Sequence, residues 1–241
     1  MRLFNYYPSK NETDAALEKK IFKHSLIIPA LFVFICWIVL LTEATLELNF
    51  AQYGIFPHHV KGLKGIVLAP FIHSGITHLA ANSVPFLVLS VALFYFYRKL
   101  AYRIFFLIYL FSGIFVWMGG REAWHIGASG IIYGLGAFLF FSGIFRNDVK
   151  LLTISIIVVF LYGGMFWGIF PIEARVSWES HLWGSVSGLF LSVYYRNQGP
   201  RRSHFEWENE QDDDDLVYNE EDGSGNLDWP DNEKEKEMEK T

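Results

Sequence analysis

Apolar residues in this chain are gathered into six long runs: Ser25–Thr42, Ile76–Tyr97, Ala101–Met118, Ala128–Phe145, Leu151–Phe170 and Leu182–Tyr195, the last reaching back to about Trp178. They are too long and too little alternated for barrel strands. At ~1.5 Å per residue, ~18–20 helical residues cross a ~30 Å hydrocarbon core. Lipid offers no partner to backbone polar groups, so such runs span as helices. The pattern therefore predicts an all-α membrane protein, a bundle of six transmembrane helices over residues 25–197. Residues 43–72, with Gly54, Pro57, Gly62 and Gly65, are too polar to span and too apolar for a plain loop, and are expected to lie at the interface.

Charge orients the bundle. With residues 1–24 in the cytoplasm, thirteen basic residues fall in inner segments and only Lys61, Lys64, Arg121 and Arg175 in outer ones. That asymmetry predicts both termini inside. Trp117, Trp124, Trp167 and Trp178 then fall near the outer ends of spans. The first run lacks a small-x-small cleavage site, so a retained anchor is expected and not a removed signal. Residues 203–241 hold sixteen acids and three lysines, which predicts an acidic, disordered cytoplasmic tail. The net charge of −5 sums this tail with a basic remainder, so it says little about partners. The single cysteine, Cys36, excludes an intramolecular disulfide.

Polar side chains inside spans are costly and usually functional. Here His73, His78 and Asn82 open the second run, Ser129 the fourth and His181 the sixth. Even-numbered spans run from outside to inside, so all five share one shallow outer depth. A serine becomes a nucleophile with histidine as its base. His78 and Asn82 share a helix face at i, i+4 and can donate to an oxyanion, alongside the Ser129 amide in the first turn of its helix. Gly127 and Gly130 let the backbone approach closely, and Tyr133 can stack on His181. Gly184 and Gly188, facing Gly130 and Gly134 at the same spacing, allow the two helices to touch. No carboxylate is expected as a third member; Glu173 and Glu179 are set aside, leaving a Ser–His dyad. His73 has two readings, support for the loop or contact with the oxyanion. His125 is expected to be a solvated histidine. The histidines lack a His-Glu-x-x-His or an accompanying membrane carboxylate, so neither metal nor cofactor is expected.

Gly127-Ala-Ser129-Gly130 with Tyr133, His181-x-x-Gly184-x-x-x-Gly188, and His73 followed by His78 and Asn82 stand in this order on the fourth, sixth and second runs. In these motifs the chain resembles the rhomboid family of intramembrane serine proteases, over roughly residues 20–197. The resemblance implies a serine endopeptidase that cleaves transmembrane substrate helices near their outer ends through an acyl-enzyme. It implies Ser129 as nucleophile, His181 as general base, and His78, Asn82 and the Ser129 amide as oxyanion donors. The compact six-helix form resembles the simple prokaryotic type, which implies a bacterial inner membrane with the active site toward the periplasm. Partners are then transmembrane proteins and the bilayer, with no nucleic acid. One departure is Lys64-Gly65, where many rhomboids carry Trp-Arg in the first long loop. The rival expectation is a non-catalytic rhomboid-like binder or chaperone, which should have lost the serine or the histidine.

Overall fold

The structure, a computed structural model, describes residues 14–146, 152–153, 156–157, 167–171 and 177–198. Within them the chain folds into helices α1 (Asp14–Thr45), α2 (Gly65–Leu68), α3 (Ile76–Phe96), α4 (Ala101–Gly119), α5 (Ser129–Arg146) and α6 (Trp178–Tyr194), with three short 3-10 turns and no strand among the described residues. Four helices, α1, α3, α4 and α5, are long and apolar enough to cross a membrane. The 17-residue α6 is shorter, and its middle is diluted by Gly184, Ser185, Ser187 and Gly188. Most of the apolar run at 151–170, and the acidic tail, lie outside the described residues.

Most helix ends agree with the apolar runs to within a residue. The exception is α1, which starts at Asp14 where the apolar run starts at Ser25. Its 32 residues make a rod of ~48 Å, longer than the ~30 Å core. The extra turns are anchored from outside the helix: Tyr95 donates to Glu18, Arg98 pairs with Glu18 at 3.5 Å, and Tyr102 meets His24 at 3.2 Å. These long-range contacts are invisible to hydropathy.

The helix α5 forms the centre. Leu135, Phe138 and Leu139 are fully buried, and the helix packs against α6, α3 and α4. Its contact with α6 is made by bare backbone. A methyl added at Gly184 would run into the Gly130 carbonyl, and one at Gly188 into the Gly134 carbonyl. The expected glycine seam is therefore present. At the far end, Arg146 donates to the Tyr195 carbonyl at 2.6 Å, satisfying the last turn of α6. By contrast α1 packs on α3 through Phe32, which stacks on Phe86 at 4.4 Å, and leaves Phe22, Ile27, Leu31, Phe34, Ile38 and Leu41 exposed. So large an apolar surface belongs against lipid.

The connection from α1 to α3 is a compact, folded loop. Ile55 pairs with His125 through two antiparallel backbone hydrogen bonds of 3.0 and 2.8 Å. Trp117 Nε1 donates to the His59 carbonyl at 2.9 Å. The backbone of Gly65 lies directly on Gly54, so no side chain fits there. This close approach accounts for the glycine at position 65.

Candidate active site

Ser129 begins α5, and its position is set by the turn before it. Gly127 has φ +105°, a left-handed conformation that favours glycine. A Cβ there would also sit 3.0 Å from the His78 ring and 3.7 Å from Asn82 Nδ2. The turn is thus pressed against the α3 residues that the sequence singles out. It is held by Gly127 N–H donating to the Ala69 carbonyl at 2.9 Å, and by Ala128 N–H reaching His73 Nε2 at 3.4 Å. His73 thus contacts the backbone of this turn through Nε2.

The tautomers follow from fixed donors and acceptors. The Ser74 backbone N–H donates, at a long 3.4 Å, to His78 Nδ1, and Ser74 Oγ lies 3.1 Å from the same atom. His78 Nδ1 is therefore an acceptor, and the neutral ring carries its proton on Nε2, the atom that faces Gly127. Asn82 Nδ2 is buried and has no hydrogen-bond partner among the described residues. Two donors thus lie against the turn before Ser129, and no hydrogen bond spends either of them on an acceptor among the described residues.

His181 projects from the first turn of α6 and is 9% exposed, matching Ser129 at 8%. Its Nδ1 lies 2.8 Å from the Gly168 carbonyl. A carbonyl only accepts, so Nδ1 carries the proton and the Nε2 lone pair is free to act as a base. The ring stacks on Tyr133 at 4.1 Å with an interplanar angle of 6°, the stacking that the spacing Ser129–Tyr133 suggests. The partner of Nδ1 was missed from sequence. Gly168 acts through its backbone, and as one of three glycines in the run 151–170 it carries no mark that singles it out.

No direct hydrogen bond joins Ser129 Oγ to His181 among the described residues, although glycine packing was expected to bring them within reach. The seam brings the backbones of Gly130 and Gly184 into contact, next to both residues, and catalytic hydrogen bonds without substrate are often long. His125 is a clear correction. It is 2% exposed and not solvated, because its backbone is paired with Ile55 and its ring bonds Ser177 Oγ and the Arg121 carbonyl. Desolvation by this burial lowers its pKa, with the nearby Arg121 and Glu179 charges acting in opposite directions. Glu179 is also buried. Its charge is met by Arg121 at 3.3 Å, an ion pair whose geometry falls short of a hydrogen bond. Among the described residues no three His, Cys, Asp or Glu side chains gather as metal ligands would.

The arrangement is that of an integral, helical membrane protein with a buried serine and an oriented histidine at the start of two glycine-packed helices. A rhomboid domain model matches residues 61–198, and the chain belongs to the rhomboid family, whose members are generally intramembrane serine proteases. The uncharacterized protein Rv1337 of Mycobacterium tuberculosis is 34% identical over 176 residues, covering 67% of this chain and 69% of that protein. The uncharacterized protein ML1171 of Mycobacterium leprae is 34% identical over 150 residues, 58% of each chain. A Bacillus subtilis protein named "Putative rhomboid protease YdcA" is 31% identical over 146 residues, covering 54% of this chain and 66% of that protein.

Proposed function

We propose that this chain is an intramembrane serine endopeptidase in which Ser129 attacks and His181 serves as general base. The observation that carries the reading is the Gly168 carbonyl on His181 Nδ1, which leaves Nε2 unprotonated beside the helix that Ser129 opens. Family membership and the Tyr133 stack support it further. A substrate helix unwinds locally and presents a carbonyl. Ser129 Oγ adds to its carbon as His181 Nε2 takes the proton. The oxyanion draws hydrogen bonds from His78 Nε2–H, Asn82 Nδ2 and the Ser129 amide. His181 returns the proton to the leaving amine, and water hydrolyses the acyl-enzyme with His181 again as base.

The topology we propose has six spans with both termini cytoplasmic, in a bacterial inner membrane, and places the site toward the outer face. The basic-residue asymmetry supports it, as does the apolar run at 151–170. The substrates are transmembrane proteins of the same bilayer, and residues 203–241 form a solvated acidic tail. A non-catalytic binder has no observation of its own in favour. The test is incubation of the solubilised full chain with a fluorophosphonate probe and, separately, with a model transmembrane substrate. Labelling and cleavage by wild type, lost in Ser129→Ala and His181→Ala, are expected. Equal cleavage by Ser129→Ala would overturn the assignment.

A further inference from the structure

The seam that joins α5 to α6 is smooth. At Gly130–Gly184 and Gly134–Gly188 backbone meets backbone, flanked by the Tyr133–His181 stack and, at the far end, by the Arg146–Tyr195 bond. Such a surface permits close approach, but by itself it resists sliding or axial rotation poorly. A displacement of ~1 Å between reacting groups can cost ~10²-fold in rate. Any polar tie between the two helix starts therefore bears on the Ser129–His181 alignment.

A polar chain lies at the same end of the two helices. His125 stands four residues before Ser129, and Ser177 four residues before His181. The His125 Nε2 lies 3.0 Å from the Arg121 carbonyl, which only accepts, so Nε2 donates and Nδ1 is left as an acceptor. Ser177 O–H donates to that Nδ1, and Ser177 Oγ in turn lies 2.7 Å from Ser180 Oγ, whose hydroxyl donates to it. The Ser180 carbonyl would lie 3.2 Å from a Cβ on Gly130, so the chain ends against the turn that carries Ser129. On the loop side the strap bearing His125 is held by the Ile55 bridge, and Gly127 by Ala69. A second tie, the Arg121–Glu179 ion pair, joins the same two segments. His125 and Ser180 also line a cleft with Gly127 and Gly130 that neither Ser129 nor His181 lines.

We propose that His125 and Ser177 are positioning residues: their hydrogen bond pins the start of α6 to the strap before α5 and so sets the alignment of His181 with Ser129. The proposal rests on the Ser129–His181 reading above. It is specific about direction. The hydroxyl of residue 177 must donate to an imidazole lone pair, so hydroxyl-bearing replacements are tolerated and isosteric apolar ones are not.

The experiment compares wild type with Ser177→Ala, Ser177→Thr, His125→Phe and the double variant Ser177→Ala/His125→Phe in the full detergent-solubilised chain. Three quantities are read: the rate of fluorophosphonate labelling, kcat and KM on a model transmembrane substrate, and the thermal unfolding midpoint. Expected is a fall of about tenfold in both labelling rate and kcat for each alanine or phenylalanine variant, the size of one ordinary hydrogen bond. KM stays unchanged, the unfolding midpoint falls by only a few degrees, Ser177→Thr returns to wild-type rates, and the double variant is no slower than the worse single one. Ser177 variants carry the test if His125→Phe does not fold. Wild-type labelling rates in Ser177→Ala, or losses that multiply in the double variant, overturn the clamp while leaving the dyad intact. A wild type that is neither labelled nor active removes the dyad reading and the clamp with it.

Discussion

On the α3 side of the Ser129 turn, Asn82 Nδ2 and His73 Nδ1 are buried without hydrogen-bond partners among the described residues, and the Nε2 proton of His78 faces glycine backbone. On the α6 side, His181 is bonded to Gly168 and stacked on Tyr133, and His125 is bonded at both ring nitrogens. One wall keeps its donors uncommitted, and the other fixes every ring. Burying an unpaired donor costs about 1–3 kcal/mol. A protein tolerates that cost where the group is reserved for something that arrives later, such as charge developing on an oxygen. The fixed wall has the opposite task, since a base must be held in one tautomer before any substrate is present.

The sharpest way to break this contrast is at its junction. Ser129→Ala or His181→Ala should abolish fluorophosphonate labelling and reduce cleavage by at least ~10³-fold, since a nucleophile and its base act as a unit. Next in size is the uncommitted wall. Asn82→Ala should lower kcat by ~10²–10³-fold while raising the thermal unfolding midpoint, because it removes an unpaired buried donor. A loss of both activity and stability would mean that Asn82 is a structural residue. His73 comes third. Desolvation, helped by the His78 charge and opposed by the nearby Phe71 backbone, pushes its pKa down to about 4 from 6.5. The folded state then binds fewer protons than the unfolded chain between these values. Stability is full above about pH 6.5 and falls as pH drops toward about 4, by about 3 kcal/mol in total. Denaturation in detergent across that range should show the loss in wild type and a reduced slope in His73→Gln. Smallest is Tyr133→Ala on the fixed wall. Losing the ring stack is worth ~0.5–1.5 kcal/mol, or up to about tenfold in kcat. Tyr133→Phe, which keeps the ring, should be close to wild type.

Much of this architecture can be read from the chain alone, for physical reasons. Hydropathy sets where α3, α4 and α5 begin and end, because lipid penalises any polar interruption. Glycine spacing announced the α5–α6 seam because only the absence of a side chain permits backbone contact. The motif residues His78, Asn82, Ser129 and His181 stand out because polar groups are rare in such runs. What escaped is whatever acts through backbone or across loops. The carbonyl of Gly168 has no side chain to mark it. The His125–Ser177 bond joins two loop positions far apart in sequence, and the burial of His125 depends on an Ile55 bridge that no periodicity reveals. The early start of α1 depends in the same way on Tyr95 and Arg98 reaching back to Glu18.

The Gly168 carbonyl has one more consequence. In a Ser–His–Asp arrangement the orienting group carries its own charge, and its ionisation is coupled to that of the imidazole. A peptide oxygen does not titrate. In the proposed mechanism the group that orients His181 therefore adds no ionisation of its own to the acid limb of kcat/KM, and position 168 must stay glycine, because a Cβ there would run into the Tyr133 hydroxyl and lie 3.0 Å from His181 Nδ1.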